Sequence, residues 1–316
     1  MKKQLPIIIA LLFVLGATWF VVNQKGKSTS TASLKTVAKQ SISLTTFNKT
    51  ASCAKPPAFL HQLHIPQPVV IDLSQKHYTG LSLRYGKQFQ KLLHPKQWES
   101  YGNLGTYSVD EKGNIFLAPI PYISIKEKTF TWQSNIYMLE SQSGQLTLWK
   151  HLDTVKPSAS NPYGITALVY DCSNHTLWIS TIDKSDYQNE KGVLYHIDVK
   201  TKKVLQKVSG KDILSLQILT THKEKILLAG SARDNRLYGY SILQNGSINP
   251  TPKILLELPI DNAHIRKIKV IKENTLELQS IPFSYTLITQ TAQSDRIYYH
   301  ALWQPKVQKW NTFPLK

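Results

Sequence analysis

The chain is short of the residues that usually announce a catalytic or redox site. Among 316 residues there are two cysteines, two methionines and 20 acidic side chains, set against 38 lysines and arginines. Two cysteines leave room for one bridge at most, Cys53 with Cys172, in an oxidising compartment. Spacing alone leaves open whether they meet. No block of five like charges occurs, which excludes a polybasic tail, and long helical periodicity is scarce, which argues against a helical bundle. The charged fraction is only 18% beside 41% hydrophobic residues, so the composition is not that of a disordered chain.

The net charge of +18 is what remains, and it gives the surface a positive potential that attracts polyanions. Lipid headgroups and phosphates of a cell envelope fit an exported chain better than nucleic acid does. Dispersed lysine that merely keeps the protein soluble is the plainer reading.

One apolar run stands out. Leu5–Val22 carries no charge, follows Lys2 and Lys3, and at eighteen residues would span about 27 Å as a helix, near the thickness of a bilayer core. The expectation is a transmembrane anchor over residues 1–23 with the bulk of the chain periplasmic or extracellular, as on a bacterial-type inner membrane. The rival is a cleaved signal and a secreted product, although Leu15-Gly16-Ala17 is a poor cleavage site. Residues 24–56 are rich in Ser, Thr, Lys and Ala and are expected to be a flexible spacer.

From residue 57 to the C-terminus the chain reads as short β-branched and aromatic runs separated by turns. A tyrosine-centred strand recurs in Asn135–Leu139, Val193–Ile197, Arg236–Tyr240 and Arg296–His300. Each follows two strands and precedes a fourth, so the unit is a four-stranded antiparallel meander repeated radially. That predicts an all-β fold, a β-propeller of five blades, with an atypical first unit over Val69–Leu93. Six blades fit if the stretch before Gly105 holds two shortened units, and an open β-sandwich is the alternative architecture.

Within this pattern, Gly105–Ala118 contains Asp110-Glu-Lys-Gly113-Asn114 between two strands, and Asn161-Pro162-Tyr163-Gly164-Ile165 leads into another. Both segments resemble NHL-repeat and gluconolactonase-like propellers, over residues 105–230 and at the level of fold. The resemblance implies a propeller. In the gluconolactonase-like enzymes it would also imply carboxylates and amides around a divalent metal in the central channel, but those ligands do not map residue by residue onto this chain.

Four groups of side chains are candidates for chemistry. Asp183, Asp186 and Glu190 share one polar loop and supply oxygens of the kind that hold calcium; no other cofactor is expected. His264-Ile-Arg266-Lys267-Ile-Lys269 is a basic strand in the position of an inner blade strand, where Lys267 and Lys269 share a face and could take an anionic ligand. Arg233, in a loop after a strand, could clamp a carboxylate or phosphate in bidentate fashion. His61 and His64, with Cys53, could ligate a metal, but two histidines three apart near a domain start are more often surface groups. Asp171-Cys172-Ser173-Asn174-His175 holds nucleophile and base types yet reads as a β-turn. Of the tryptophans Trp98, Trp132, Trp149, Trp178, Trp303 and Trp310, most should pack between blades.

The expected function is a membrane-tethered binding or scaffold module for a protein or an anionic cell-envelope polymer. A metal-dependent propeller hydrolase or lactonase is the alternative.

Overall fold

A computed structural model gives the architecture and describes residues 42, 44–49, 52–74, 78–121, 131–286 and 296–315. The run Leu5–Val22 lies outside them. Among the described residues no helix is long and apolar enough to cross a membrane.

Five antiparallel meanders make five blades. Blade one holds β1 (Val70–Asp72), β2 (Ser82–Tyr85) and β3 (Lys91–Leu93). Blade two holds β4 (Leu104–Val109), β5 (Ile115–Pro119), β6 (Asn135–Leu139) and β7 (Leu146–His151). Blade three holds β8 (Ile165–Asp171), β9 (Thr176–Thr181), β10 (Val193–Asp198) and β11 (Val204–Ser209). Blade four holds β12 (Ile213–Thr220), β13 (Lys225–Ser231), β14 (Arg236–Ile242) and β15 (Lys253–Glu257). Blade five holds β16 (His264–Lys272), β17 (Thr275–Ile281), β18 (Ile297–Gln304) and β19 (Lys309–Leu315). The first strands of successive blades lie side by side, β4 on β8, β8 on β12 and β12 on β16, so they line the axis. This is a five-bladed β-propeller.

Alternation along the middle strands sends apolar side chains to both faces of each blade, and neighbouring blades bury them between sheets. Leu81, Leu83 and Trp98 meet Ile115, Leu117 and Tyr137 between blades one and two. Phe116 and Trp149 meet Ile179 and Tyr195 between blades two and three. Trp178 and Leu194 meet Leu227 and Tyr238 between blades three and four, and Leu228 and Leu237 meet Leu278 and Tyr299 between blades four and five. Full burial of each such side chain contributes on the order of 1.5–3 kcal/mol. Among the described residues no comparable cluster joins blade five to blade one. The far face of blade five instead leaves Tyr298, Leu302 and Phe313 exposed.

The recurring tyrosine is an interblade residue. Tyr137, Tyr195 and Tyr238 are buried opposite Leu117, Ile179 and Ala229. In blade five the equivalent partner, Leu278, faces Tyr299 and not Tyr298. The expected alignment is therefore one residue out in the last unit, where a tyrosine doublet hides the register.

A second correction concerns the spacer, expected to run to residue 56. Leu44 and Phe47 are buried in the core between blades four and five. Phe47 bridges to Thr221 and exchanges backbone and side-chain hydrogen bonds with Asn274. Cys53 is disulfide-bonded to Cys172, the Cα atoms 6.1 Å apart. The Lys55 N–H donates to the Asp110 carbonyl at 3.3 Å, and the Phe59 N–H to that of Ser141 at 2.8 Å. The segment is thus a strap that visits, in order, the turns joining first to second strands in blades five and four, three, and two, and then the turn joining third to fourth strands in blade two.

Because strands alternate in direction, those turns occupy one end of the propeller. The opposite end carries the starts of the first strands and the loops after the second strands. We refer to it as the funnel end.

Candidate functional site at the funnel end

Each first strand from blade two onward slips register near its start, between Leu104 and Thr106, Ile165 and Ala167, Ile213 and Ser215, and Ile265 and Lys267, and β16 slips again between Val270 and Lys272. The residues set aside by the bulges near the strand starts are Gly105, Thr166, Leu214 and Arg266. A bulge frees the backbone from the ladder and turns it toward the axis. Arg266 exploits this arrangement: Nη1 donates to the carbonyls of Leu214 at 3.0 Å and Thr166 at 3.3 Å, and Nη2 to that of Gly105 at 3.5 Å. One guanidinium of blade five thus ties the equivalent carbonyls of blades four, three and two.

The bulge also settles the faces of β16. Ile265 and Ile268 are buried while Lys267 and Lys269 are exposed on the other side, as expected, with Arg266 apart from both sets. Lys269 pairs with Glu277 at 3.2 Å. Among the described residues no carboxylate pairs with Arg266, Lys267 or Arg296. Burial pushes the Arg266 guanidinium down from its ordinary range, Tyr163 partly opposes this, and Arg296 adds like-charge repulsion. Burial also depresses Lys267, and the nearby charges of Arg266, Arg296 and Lys269 push it the same way. Buried cations without a counter-charge cost several kcal/mol unless hydrogen bonds or a ligand offset them. Carbonyls offset that cost for half-buried Arg266, whereas Lys267 and Arg296 are exposed and reach solvent.

Arg233 sits elsewhere on the same end. Its guanidinium donates to the carbonyl oxygens of Asp186 and Tyr187 and lies 5.8 Å from the Tyr285 ring centroid. It therefore braces two loops with part of its fork. Behind it, buried Asp212 accepts from the Ser185 and Tyr285 hydroxyls and from the Gly192 N–H at 2.7 Å. Burial pushes the Asp212 carboxyl above its usual range, and the Ser185 and Tyr285 hydrogen bonds hold the rise in check.

The three loop carboxylates do not converge. Asp183 accepts from the Lys156 N–H at 2.9 Å, Asp186 caps its own turn through Gln188 and Asn189, and Glu190 pairs with Lys211 at 2.8 Å while accepting from the Asp212 N–H. Their spacing in sequence reflects three separate structural duties. Among the described residues no group of three or more His, Cys, Asp or Glu side chains is placed to hold a metal ion. His61 lies in a one-turn helix, Phe59–Gln62, and His64 just after it, both exposed, and the Cys53 sulfur is committed to its disulfide. Ser173 and Asn174 cap a turn on Asp171, whose carboxylate takes Lys225 at 2.5 Å.

A cavity of about 330 Å³ opens beside Arg233. Tyr187, Tyr285 and Phe283 form its aromatic wall, with ring centroids 5.5 Å apart for the first pair and 5.2 Å for the second. Tyr163 continues the aromatic chain at 5.2 Å from Phe283, and the charge of Arg266 opposes the upward push that burial gives its hydroxyl. Gly164 lets the strand start close here, since a Cβ would lie 2.1 Å from the Gln133 carbonyl oxygen. Sequence reasoning missed Arg296 and this wall. The usable signal was the repeated apolar residue before each bulge, Leu104, Ile165, Ile213 and Ile265.

No protein-family model matches the chain, and no curated protein does. Several solved structures are similar in fold. A protein from Lactobacillus plantarum is 10% identical over 78% of this chain and 66% of its own, with a TM-score of 0.45. Kuenenia stuttgartiensis hydrazine synthase is 10% identical over 75% of this chain and 60% of its own, at 0.44. An ancestral GH74 enzyme is 10% identical over 78% of this chain and 40% of its own, at 0.47. The chain spans less than two thirds of the length of these structures. The class that the fold defines is the β-propeller, without a narrower family.

Proposed function

We propose that this chain is an exported binding module that takes an anionic envelope polymer at the funnel end of its propeller. The observation that carries the reading is that Arg266, Lys267 and Arg296 have no carboxylate partner among the described residues, while burial first and like charges second depress Lys267. An anion seated there would relieve the repulsion, and the net charge of +18 would steer it in. Export and tethering rest on Lys2, Lys3 and the run Leu5–Val22, with secretion after cleavage as the alternative. The Cys53–Cys172 bridge supports an oxidising compartment. A cation-dependent hydrolase has no group of acidic and histidine side chains to be argued from among the described residues.

The test is titration of the full-length protein with sulfate and with anionic oligosaccharides at low and physiological salt, for the parent chain and for the Lys267→Gln, Arg296→Gln double variant. Binding that weakens with salt and with the double variant supports the proposal. Equal affinity of parent and variant overturns it.

A further inference from the structure

We infer that the ligand is an acidic saccharide, its sugar ring in the 330 Å³ cavity beside the axis and its carboxylate or sulfate group on the axial cations. This rests on the anion-binding reading above and narrows it.

The cavity has the size and the chemistry for such a ring. At about 330 Å³ it sits at the small end of ligand pockets, which run from roughly 300 to 1,000 Å³. The Tyr187 side chain is 63% exposed on its wall, beside Phe283 and Tyr285. Flat aromatic faces of this kind pack the C–H side of a pyranose.

Asp261 and Asn262 decide against a simple anion. Both line the cavity and both are exposed. A carboxylate only accepts hydrogen bonds, so Asp261 calls for a ligand that donates them. A bare carboxylate or sulfate ion has no donor and would be repelled; sugar hydroxyls supply several. His264, buried at 6% exposure, sends Nε2–H to Asn262 Oδ1 at 3.0 Å. Burial keeps that imidazole neutral by pushing its pKa down, and with Oδ1 engaged the Asn262 Nδ2 hydrogens remain for a hydroxyl oxygen.

The walls are held before any ligand arrives. Arg233 fixes the Asp186–Tyr187 backbone, and the Tyr285 hydroxyl is tied to Asp212. Preorganisation of this kind reduces the entropy lost on binding. Continuity with the cations is short: His264 lines the cavity and stands two residues before Arg266 on β16, and the Tyr163 ring lies 5.2 Å from Phe283 of the wall. A ligand filling both places therefore carries hydroxyl donors at one end and negative charge at the other.

The experiment is isothermal titration of the full-length protein with tetrasaccharides of hyaluronan, polygalacturonate and alginate, with cellotetraose, and with sulfate. Tyr187→Ala and Asp261→Asn alter the cavity at exposed positions, and the Lys267→Gln, Arg296→Gln pair alters the axis. At least one acidic tetrasaccharide is expected to bind, to weaken about tenfold in each cavity variant, and to weaken in the axial variant as well. Sulfate binding should change only in the axial variant. If sulfate binds and no acidic tetrasaccharide gains over it, or the cavity variants change nothing, the saccharide falls and the anion site stands. Cellotetraose binding as tightly as the acidic chains also overturns the inference. If no anion binds at all, both readings fail together.

Discussion

Phe47 and Asn274 hold each other by a reciprocal pair: the Phe47 N–H donates to Asn274 Oδ1 at 3.0 Å, and the Asn274 N–H donates to the Phe47 carbonyl at 2.8 Å. Asn274 adopts positive φ at the β16–β17 turn, a conformation that asparagine tolerates better than most residues. The Phe47 ring is buried and lies 6.0 Å from Trp310. Phe47→Ala should therefore lower the unfolding free energy by about 3 kcal/mol, through lost burial and a residual cavity. Urea denaturation of the parent and variant measures it. A loss near zero would mean that the strap is not part of the folded core.

The same strap is pinned by Cys53–Cys172, a bridge that closes a loop of 119 residues. For a loop of that length the chain-entropy model gives about 4–5 kcal/mol of stabilisation, and strain or residual structure in the reduced chain commonly reduces the yield. Reductant, or the double Cys→Ser variant, should move the denaturation midpoint down. Intact mass with and without reductant checks that the bridge exists in the purified protein.

Acid should destabilise the fold through His196. Its ring is stacked on Trp178 with centroids 4.0 Å apart, its Nε2 meets Thr176 Oγ1 at 2.8 Å, and burial holds its pKa down at about 4. Asp171 and Asp198 pull the other way, and burial outweighs them. The unfolded chain binds the proton near pH 6.5 while the folded chain does not, so stability is full above pH 6.5 and is lost as pH falls toward 4. After allowance for screening, the loss between pH 7.5 and pH 5 should be about 1–2 kcal/mol. His196→Gln should flatten that part of the pH profile, as read by denaturation at the two values. An unchanged slope would assign the acid sensitivity to another group.

Periodicity makes the blades legible in the sequence, because a strand paired to its sequence neighbour needs only local information. The runs over 135–139, 193–197 and 236–240 fall on β6, β10 and β14. What stayed hidden depends on partners far along the chain. Phe47 looked like one aromatic in a polar spacer because its hydrogen-bond partner lies 227 residues away. Arg266 looked like one member of a basic strand, although its carbonyl partners at Gly105, Thr166 and Leu214 come from three other blades. Asp183, Asp186 and Glu190 showed the opposite error: close in sequence, they are turned to different neighbours by a loop whose backbone bonds the sequence does not display.

Arg266 and Lys267, adjacent in sequence, should respond in opposite directions when replaced. Arg266 spans three carbonyls with a planar fork that an ammonium cannot reproduce, so Arg266→Lys should lower stability by about 2 kcal/mol even though the charge is kept. Lys267 makes no ion pair among the described residues and is repelled by Arg266, Arg296 and Lys269. Lys267→Gln should therefore raise stability by roughly 0.5 kcal/mol at low salt, with the gain fading as added salt screens the repulsion. The same variant should bind anions more weakly. A residue kept for packing would lose stability on replacement, whereas one kept for a ligand sits in a site that is destabilised without it. Denaturation at two salt concentrations, set beside sulfate titration of the same two variants, separates these cases; a Lys267→Gln protein that is less stable than its parent would remove the axial anion site from consideration.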